Sequence, residues 1–162
     1  METIGFVGLG YMGHGMAKNI VEKGYKLTVI GHRNRKPIED VVARGASEAT
    51  SLAALGAASS IVFLCVTGSK EVEAIINGPD GLATSMKSGS VIVDCSTSDP
   101  VSTMKLYHDC ASRGITLVDA PLSRTPKEAW EGTLDTMVGA DEAVFTRVKP
   151  VMETCLLYTS PS

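Results

Sequence analysis

Two features of the sequence predict an α/β fold with a doubly wound, mostly parallel sheet. Short runs rich in Val and Ile, apolar on both faces, recur along the chain, and stretches of helical spacing lie between them. The strand candidates are Thr3–Val7, Lys26–Ile30, Ser60–Cys65, Ser90–Asp94, Thr116–Asp119 and Leu134–Val138. The first helix follows from Met12, Met16 and Ile20, with Ala17 and Val21, at four-residue spacing, and Gly24 ends it. Pro37 opens a helix at Pro37–Arg44. Asp99-Pro100 supplies a cap and a first-turn proline for Val101–Ala111. Asp141 caps the last helix, which Pro150 is expected to interrupt or restart.

Bulk composition excludes several classes. The 162 residues suit one domain, and 44% hydrophobic with 20% charged residues supports a packed core rather than disorder. A net charge of −3 argues against a nucleic-acid surface. No apolar run approaches the roughly 20 residues of a membrane span, and METIGFVGLG has no signal-peptide pattern. Cys65, Cys95, Cys110 and Cys155 are widely spaced. They read as buried thiols of a reducing, cytoplasmic compartment, not as a metal site or disulfide frame.

The first strand–helix unit carries the strongest chemical signal. Gly8, Gly10 and Gly13 form G-x-G-x-x-G directly after a strand and at the opening of a helix. In a Rossmann-type unit the first glycine permits the tight turn. The second lets a pyrophosphate approach the backbone, and the third lets helix and strand pack closely. Free N–H groups at the helix N-terminus favour the phosphates. A glycine-rich turn with packing duties alone is the competing reading, but the flanking strand and helix favour a dinucleotide. His14 reads as a solvent-side helix residue rather than a catalytic one.

The end of the second strand bears on the choice of dinucleotide. An Asp or Glu there binds the ribose hydroxyls of NAD. This chain has His32, Arg33, Asn34, Arg35 and Lys36 instead, which offer donors and positive charge to a 2′-phosphate. The expected cofactor is NADP rather than NAD. Arg33 and Asn34 are the foremost contacts, whereas Arg35 and Lys36 read equally well as a solvated surface.

The run Gly8-Leu9-Gly10-Tyr11-Met12-Gly13, continued by Met16-Ala17-Lys18-Asn19, resembles the signature of the β-hydroxyacid dehydrogenases. Their members include 3-hydroxyisobutyrate dehydrogenase, tartronate semialdehyde reductase and glyoxylate/succinic semialdehyde reductases. The resemblance runs from Met1 to about Glu153. It implies cofactor contacts at Gly8, Leu9, Gly10, Tyr11, Met12 and Gly13, and at His32, Arg33 and Asn34. It adds Cys65, Val66 and Thr67 beside the cofactor's ribose. Asp94-Cys95-Ser96-Thr97 is similar to the family's Asp-x-Ser-Thr, which implies Thr97 near the nicotinamide. Asp119-Ala120-Pro121-Leu122-Ser123 is similar to the start of the family's substrate motif, but Arg124 and Thr125 replace two glycines. A sulfolactaldehyde reductase branch has the same Arg-Thr. The implied substrate contacts are Ser123, Arg124 and Thr125, with Arg124 facing a carboxylate or sulfonate. An exposed arginine at a turn competes with that reading. Trp130 reads as a packing residue.

In the resembled family a lysine on a second, all-helical domain is the proton donor, within Gly-x-x-x-Lys-x-x-Asn. None of Lys18, Lys23, Lys26, Lys36, Lys70, Lys87, Lys105, Lys127 and Lys149 has that context. No catalytic residue is therefore expected in this chain, and the family's C-terminal helical domain is expected to be missing from it. The resemblance implies the NADP-binding half of an oxidoreductase that reduces a small anionic semialdehyde or oxidises the matching 3-hydroxy acid. The parent would be a homo-oligomer through the missing domain, and the truncated chain would bind cofactor without efficient turnover. A free-standing, non-catalytic dinucleotide-binding module is the alternative. Methyltransferases share a similar glycine loop, and 6-phosphogluconate dehydrogenase shares the first motif, but the remaining segments fit both less well. Residues 1–154 are expected to form the domain. Residues 155–162, CLLYTSPS, fit no expected element, and the codon string TGT CTC TTA TAC ACA TCT CCG AGC, which would encode them, resembles a transposase adapter. They are expected to be a non-native tail, with Cys155, Leu156, Leu157 and Tyr158 exposing apolar surface.

Overall fold

The structure, a computed structural model, describes residues 2–123 and 125–161, with the backbone alone for 157–161. Six parallel strands form the main sheet: β1 (Thr3–Val7), β2 (Lys26–Ile30), β3 (Ser47–Ala49), β4 (Ile61–Leu64), β5 (Val91–Asp94) and β6 (Thr116–Asp119). Their order is β3-β2-β1-β4-β5-β6. The chain thus winds outward from β1 on one side, then returns to place β4 against the other side of β1. The carboxyl ends of β1 and β4 flank the point where winding reverses, and such sheets bind ligands there.

The doubly apolar strands follow from helices on both faces. Ile61 and Phe63 of β4 join one buried cluster with Phe6, Met16, Ile20 and Val41, while Val62 and Leu64 join a second with Leu55, Val72, Leu82 and Leu106. The first cluster packs under α1 (Tyr11–Glu22), α2 (Lys36–Ala43) and the helix α8 (Glu142–Met152). The second packs under α3 (Leu52–Ala58), α4 (Ser69–Asn77), α5 (Leu82–Ser85) and α6 (Pro100–Ala111). Phe6 and Phe63 stack at 5.9 Å between ring centroids across β1 and β4. At the far end of the sheet, Arg147 of α8 ties Glu2, through Nε at 2.6 Å, to the Gly89 carbonyl, also at 2.6 Å. The Arg147 hydrogen bond holds the Glu2 carboxyl below its usual range.

Several elements depart from expectation. Leu134–Val138 is a strand with the expected bounds, but it is β8 of a second, three-stranded sheet. It pairs antiparallel with β7 (Leu122–Ser123), across the helix α7 (Pro126–Glu131), and parallel with β9 (Leu156–Pro161). Its alternating burial, with Leu134, Thr136 and Val138 inside and Met137 outside, is the pattern of a sheet wet on one face. Pro150 neither interrupts nor restarts α8. It lies on the exposed side, as does Thr146 one turn earlier, so the carbonyl deprived of a partner can take water. Residues 156–161 do form an element, β9, and Cys155 and Leu156 are buried in the first cluster rather than exposed. The unpaired edge of β8 offers a ladder that the short apolar run can complete.

Candidate functional site

Each glycine of the first loop meets a different constraint. Gly8 has φ 103°, and a Cβ there would lie 2.2 Å from the Cys65 carbonyl oxygen, so both backbone conformation and the nearness of β4 demand glycine. A Cβ on Gly13 would lie 1.8 Å from the Gly8 carbonyl oxygen. At Gly10 a Cβ would meet nothing within 4 Å. Gly10 is the N-cap of α1, with no side-chain cap and no acid in the first turn. The first intrahelical bond runs from His14 N–H to the Gly10 carbonyl at 2.9 Å. The N–H groups of Tyr11, Met12 and Gly13 are therefore left without an intrahelical or capping partner, at the positive end of the helix dipole.

This loop opens into a cleft of about 1080 Å³. Gly8, Leu9, Gly10 and Tyr11 line one wall, His32 and Asn34 the rim beyond β2, and Cys65, Val66 and Thr67 the segment beyond β4. Three chain segments read separately from the sequence thus converge. Tyr11 is 90% exposed over the cleft. Met12 packs against the first core cluster, and Gly13 is buried. Arg33 and Thr97 are exposed but do not line the cleft, and neither do Ser123 and Thr125. Ser123 donates to the Asp135 carbonyl at 3.3 Å, and the Thr125 hydroxyl donates to Glu128 at the start of α7. Arg124 lies outside the described residues.

The basic rim separates into engaged and open side chains. Arg35 makes two hydrogen bonds to Glu48 of β3, at 2.6 and 2.8 Å. Gly31 leaves room for them, since a Cβ there would lie 2.2 Å from Arg35 Nη1. Asn34 accepts from the Lys36 N–H at 3.2 Å, which turns the chain into α2. Lys36, read as surface, lines the cleft. The side chains of His32, Arg33 and Lys36 have no ion-pair or hydrogen-bond partner among the described residues. Burial, then the nearby Asp94, pushes the Cys65 thiol up to about 11, so it stays protonated and packs as an apolar wall.

Three residues of the site region, His14, Asp40 and Asn19, were missed or misread from the sequence. His14 is no solvent-side residue. Its Nε2 lies 2.7 Å from Asp40 Oδ2, its ring lies T-shaped to that of Trp130 with centroids 5.3 Å apart, and all three residues line the cleft. Burial works against the Asp40 carboxylate, but hydrogen bonds from Arg44 and His14 prevail and hold its pKa below the usual value. Trp130 packs as expected, under Lys18 at 4.5 Å and Arg44 at 5.3 Å, and also forms cleft wall. The signal for the third was a polar residue amid an apolar helical stripe. Buried Asn19 donates through Nδ2 to the carbonyls of Ala129 and Trp130, at 2.9 and 3.3 Å, and so anchors the end of α7 that carries Trp130. Asn19→Ala leaves those acceptors short of a donor and is expected to cost about 2 kcal/mol, read as a lower urea midpoint with an unchanged denaturant slope.

Known proteins agree with this geometry. The family described as the NAD binding domain of 6-phosphogluconate dehydrogenase matches residues 3–156. 2-(Hydroxymethyl)glutarate dehydrogenase of Eubacterium barkeri is 42% identical over 149 residues, covering 92% of this chain and 49% of that protein. 2-Hydroxy-3-oxopropionate reductase of Escherichia coli K12 is 38% identical over 153 residues, covering 93% of this chain and 51% of that one. A solved structure of Mycobacterium tuberculosis 3-hydroxyisobutyrate dehydrogenase with L-serine superposes with a TM-score of 0.91 at 25% identity, over 100% of this chain and 55% of that one. The chain thus spans about half the length of the curated relatives it matches. With its uncapped glycine loop at the switch point of a 3-2-1-4-5-6 sheet, the chain belongs to the family of the NAD-binding domain of 6-phosphogluconate dehydrogenase.

Proposed function

We propose that the chain is the NADP-binding half of an oxidoreductase that interconverts a small anionic semialdehyde and its 3-hydroxy acid. The observation that carries the cofactor reading is Gly10. It is the open position in the loop, beside unpartnered N–H groups and within a cleft large enough for a dinucleotide. When bound, the nicotinamide supplies or accepts hydride. The chain's own residues hold the pyrophosphate, seat the adenosine half against the β2 rim and exclude water along the cleft's apolar walls.

The preference for NADP rests on the same rim. No Asp or Glu occupies 31–36, and the open cationic side chains there are Arg33 and Lys36. Trp130 is the single tryptophan and lines the cleft, so its emission reports binding directly. NADPH is expected to bind at least about tenfold more tightly than NADH at low ionic strength, with the gap closing as salt rises. Arg33→Ala is expected to weaken NADPH about tenfold and leave NADH unchanged. Tighter binding of NADH by the unaltered protein would overturn the preference.

The reaction class rests on the relatives' activities and on Ser123, Arg124 and Thr125 as the substrate-side segment. The proton for the substrate oxygen has no donor lysine of the expected motif in this sequence. This length of chain is therefore expected to bind cofactor with little or no turnover, and steady reduction of a panel of small semialdehydes by it alone would refute that. Reading the gene past the codon for Glu153 tests whether the parent carries the lysine-bearing helical half.

A further inference from the structure

We infer that Asp94 and Ser96, which do not line the cleft, are positioning residues that preform its β4 segment for the dinucleotide; this rests on the cofactor reading above. The parallel ladder ends with Cys65 N–H bonded to the Val7 carbonyl, at 2.9 Å, and Cys95 N–H bonded to the Leu64 carbonyl, at 2.8 Å. Beyond it the next amide, Val66 N–H, has no strand partner. Ser96 Oγ accepts from it at 2.9 Å, across from the neighbouring loop. Ser96 is fixed in turn, because its own N–H donates to Asp94 Oδ1 at 2.9 Å. The other carboxylate oxygen, Oδ2, accepts from the Ser98 hydroxyl at 3.1 Å.

Burial sets these two residues apart from ordinary turn polar groups. Asp94 is 1% exposed and Ser96 3%, so the bonds are not shared with solvent. The consequence passes to the glycine loop. A Cβ at Gly8 would lie 2.2 Å from the Cys65 carbonyl oxygen and 2.9 Å from Val66 Cγ1, so the glycine loop leans on the segment that Ser96 holds. A carboxylate at the end of β5 thereby fixes the β4 segment, and through it the seat of the phosphate-facing turn beyond β1. Such preorganisation lowers the ordering cost on binding.

The test pairs cofactor titration with amide hydrogen exchange at Val66 in the cofactor-free protein. Ser96→Ala and Asp94→Ala are each expected to weaken NADPH roughly tenfold, the effect of losing one buried hydrogen bond, and to speed Val66 exchange at least about tenfold. Asp94→Asn keeps an Oδ1 acceptor for the Ser96 N–H and is expected to restore both to near the unaltered protein. A structural role alone would give faster exchange with unchanged NADPH affinity, and that result overturns the inference, as does an Asp94→Asn as weak as Asp94→Ala. If Asp94→Ala does not fold, Ser96→Ala decides. If the unaltered protein binds neither NADPH nor NADH, the cofactor reading is what fails, and Val66 exchange in the variants still decides whether the clamp exists.

Discussion

Gly10→Ala is expected to fold nearly as well as the unaltered protein yet bind NADPH at least about a hundredfold more weakly. The two halves of that result have separate causes. Beyond its own chain neighbours, no atom of the described residues lies within 4 Å of the added methyl, and the backbone at Gly10, φ −80° and ψ −156°, is extended with negative φ. The cost to folding is that of a poorer N-cap, about 1 kcal/mol. The methyl instead occupies the approach of the pyrophosphate to the N–H groups of the first turn, where no side-chain movement can relieve it. Thermal unfolding without cofactor and Trp130 emission with NADPH read the two quantities independently. A large loss of stability, or unchanged affinity, would contradict this account of the loop.

Gly13→Ala is expected to do the reverse in kind, destabilising the fold by about 3 kcal/mol. Its methyl would sit 1.8 Å from the Gly8 carbonyl oxygen, a backbone atom that cannot rotate away, and 3.0 Å from Phe6 Cε1. Relief requires α1 to lift from β1, and α1 carries Met16, Ala17 and Ile20 into the first core cluster. Urea unfolding checks the magnitude. A midpoint like that of the unaltered protein would mean the close approach of helix and loop is not needed.

Much of this was legible in the sequence because it is local. β1, β2 and β6 have the expected bounds, since each is a short β-branched run closed by a turn. The glycine spacing located the loop, and Asp99 and Asp141 both cap their helices as read, accepting from Ser102 N–H at 3.3 Å and Val144 N–H at 2.9 Å. What could not be read depends on partners far along the chain. β3, three residues with the burial of an exposed edge, has no hydrophobic pattern to announce it and is defined by pairing with β2. β9 likewise exists by pairing with β8. His14 was misread because its partner Asp40 lies 26 residues on, and Asn19 because Ala129 lies 110 residues on. The cationic run 32–36 showed its charge but not its division of labour, which Glu48 decides by engaging Arg35.

That division governs how the proposed cofactor preference could evolve or be redesigned. Arg35 latches α2 to the edge strand β3, and Gly31 is small so that the latch fits. A wholesale charge reversal of the run would set an acid at 35 against Glu48 and release the edge, so an attempt to switch the proposed NADP preference by that route would cost the fold. Arg33 and Lys36 carry no such duty. They can be exchanged one at a time, and a mutational path between the two dinucleotides runs through those positions while the latch is kept.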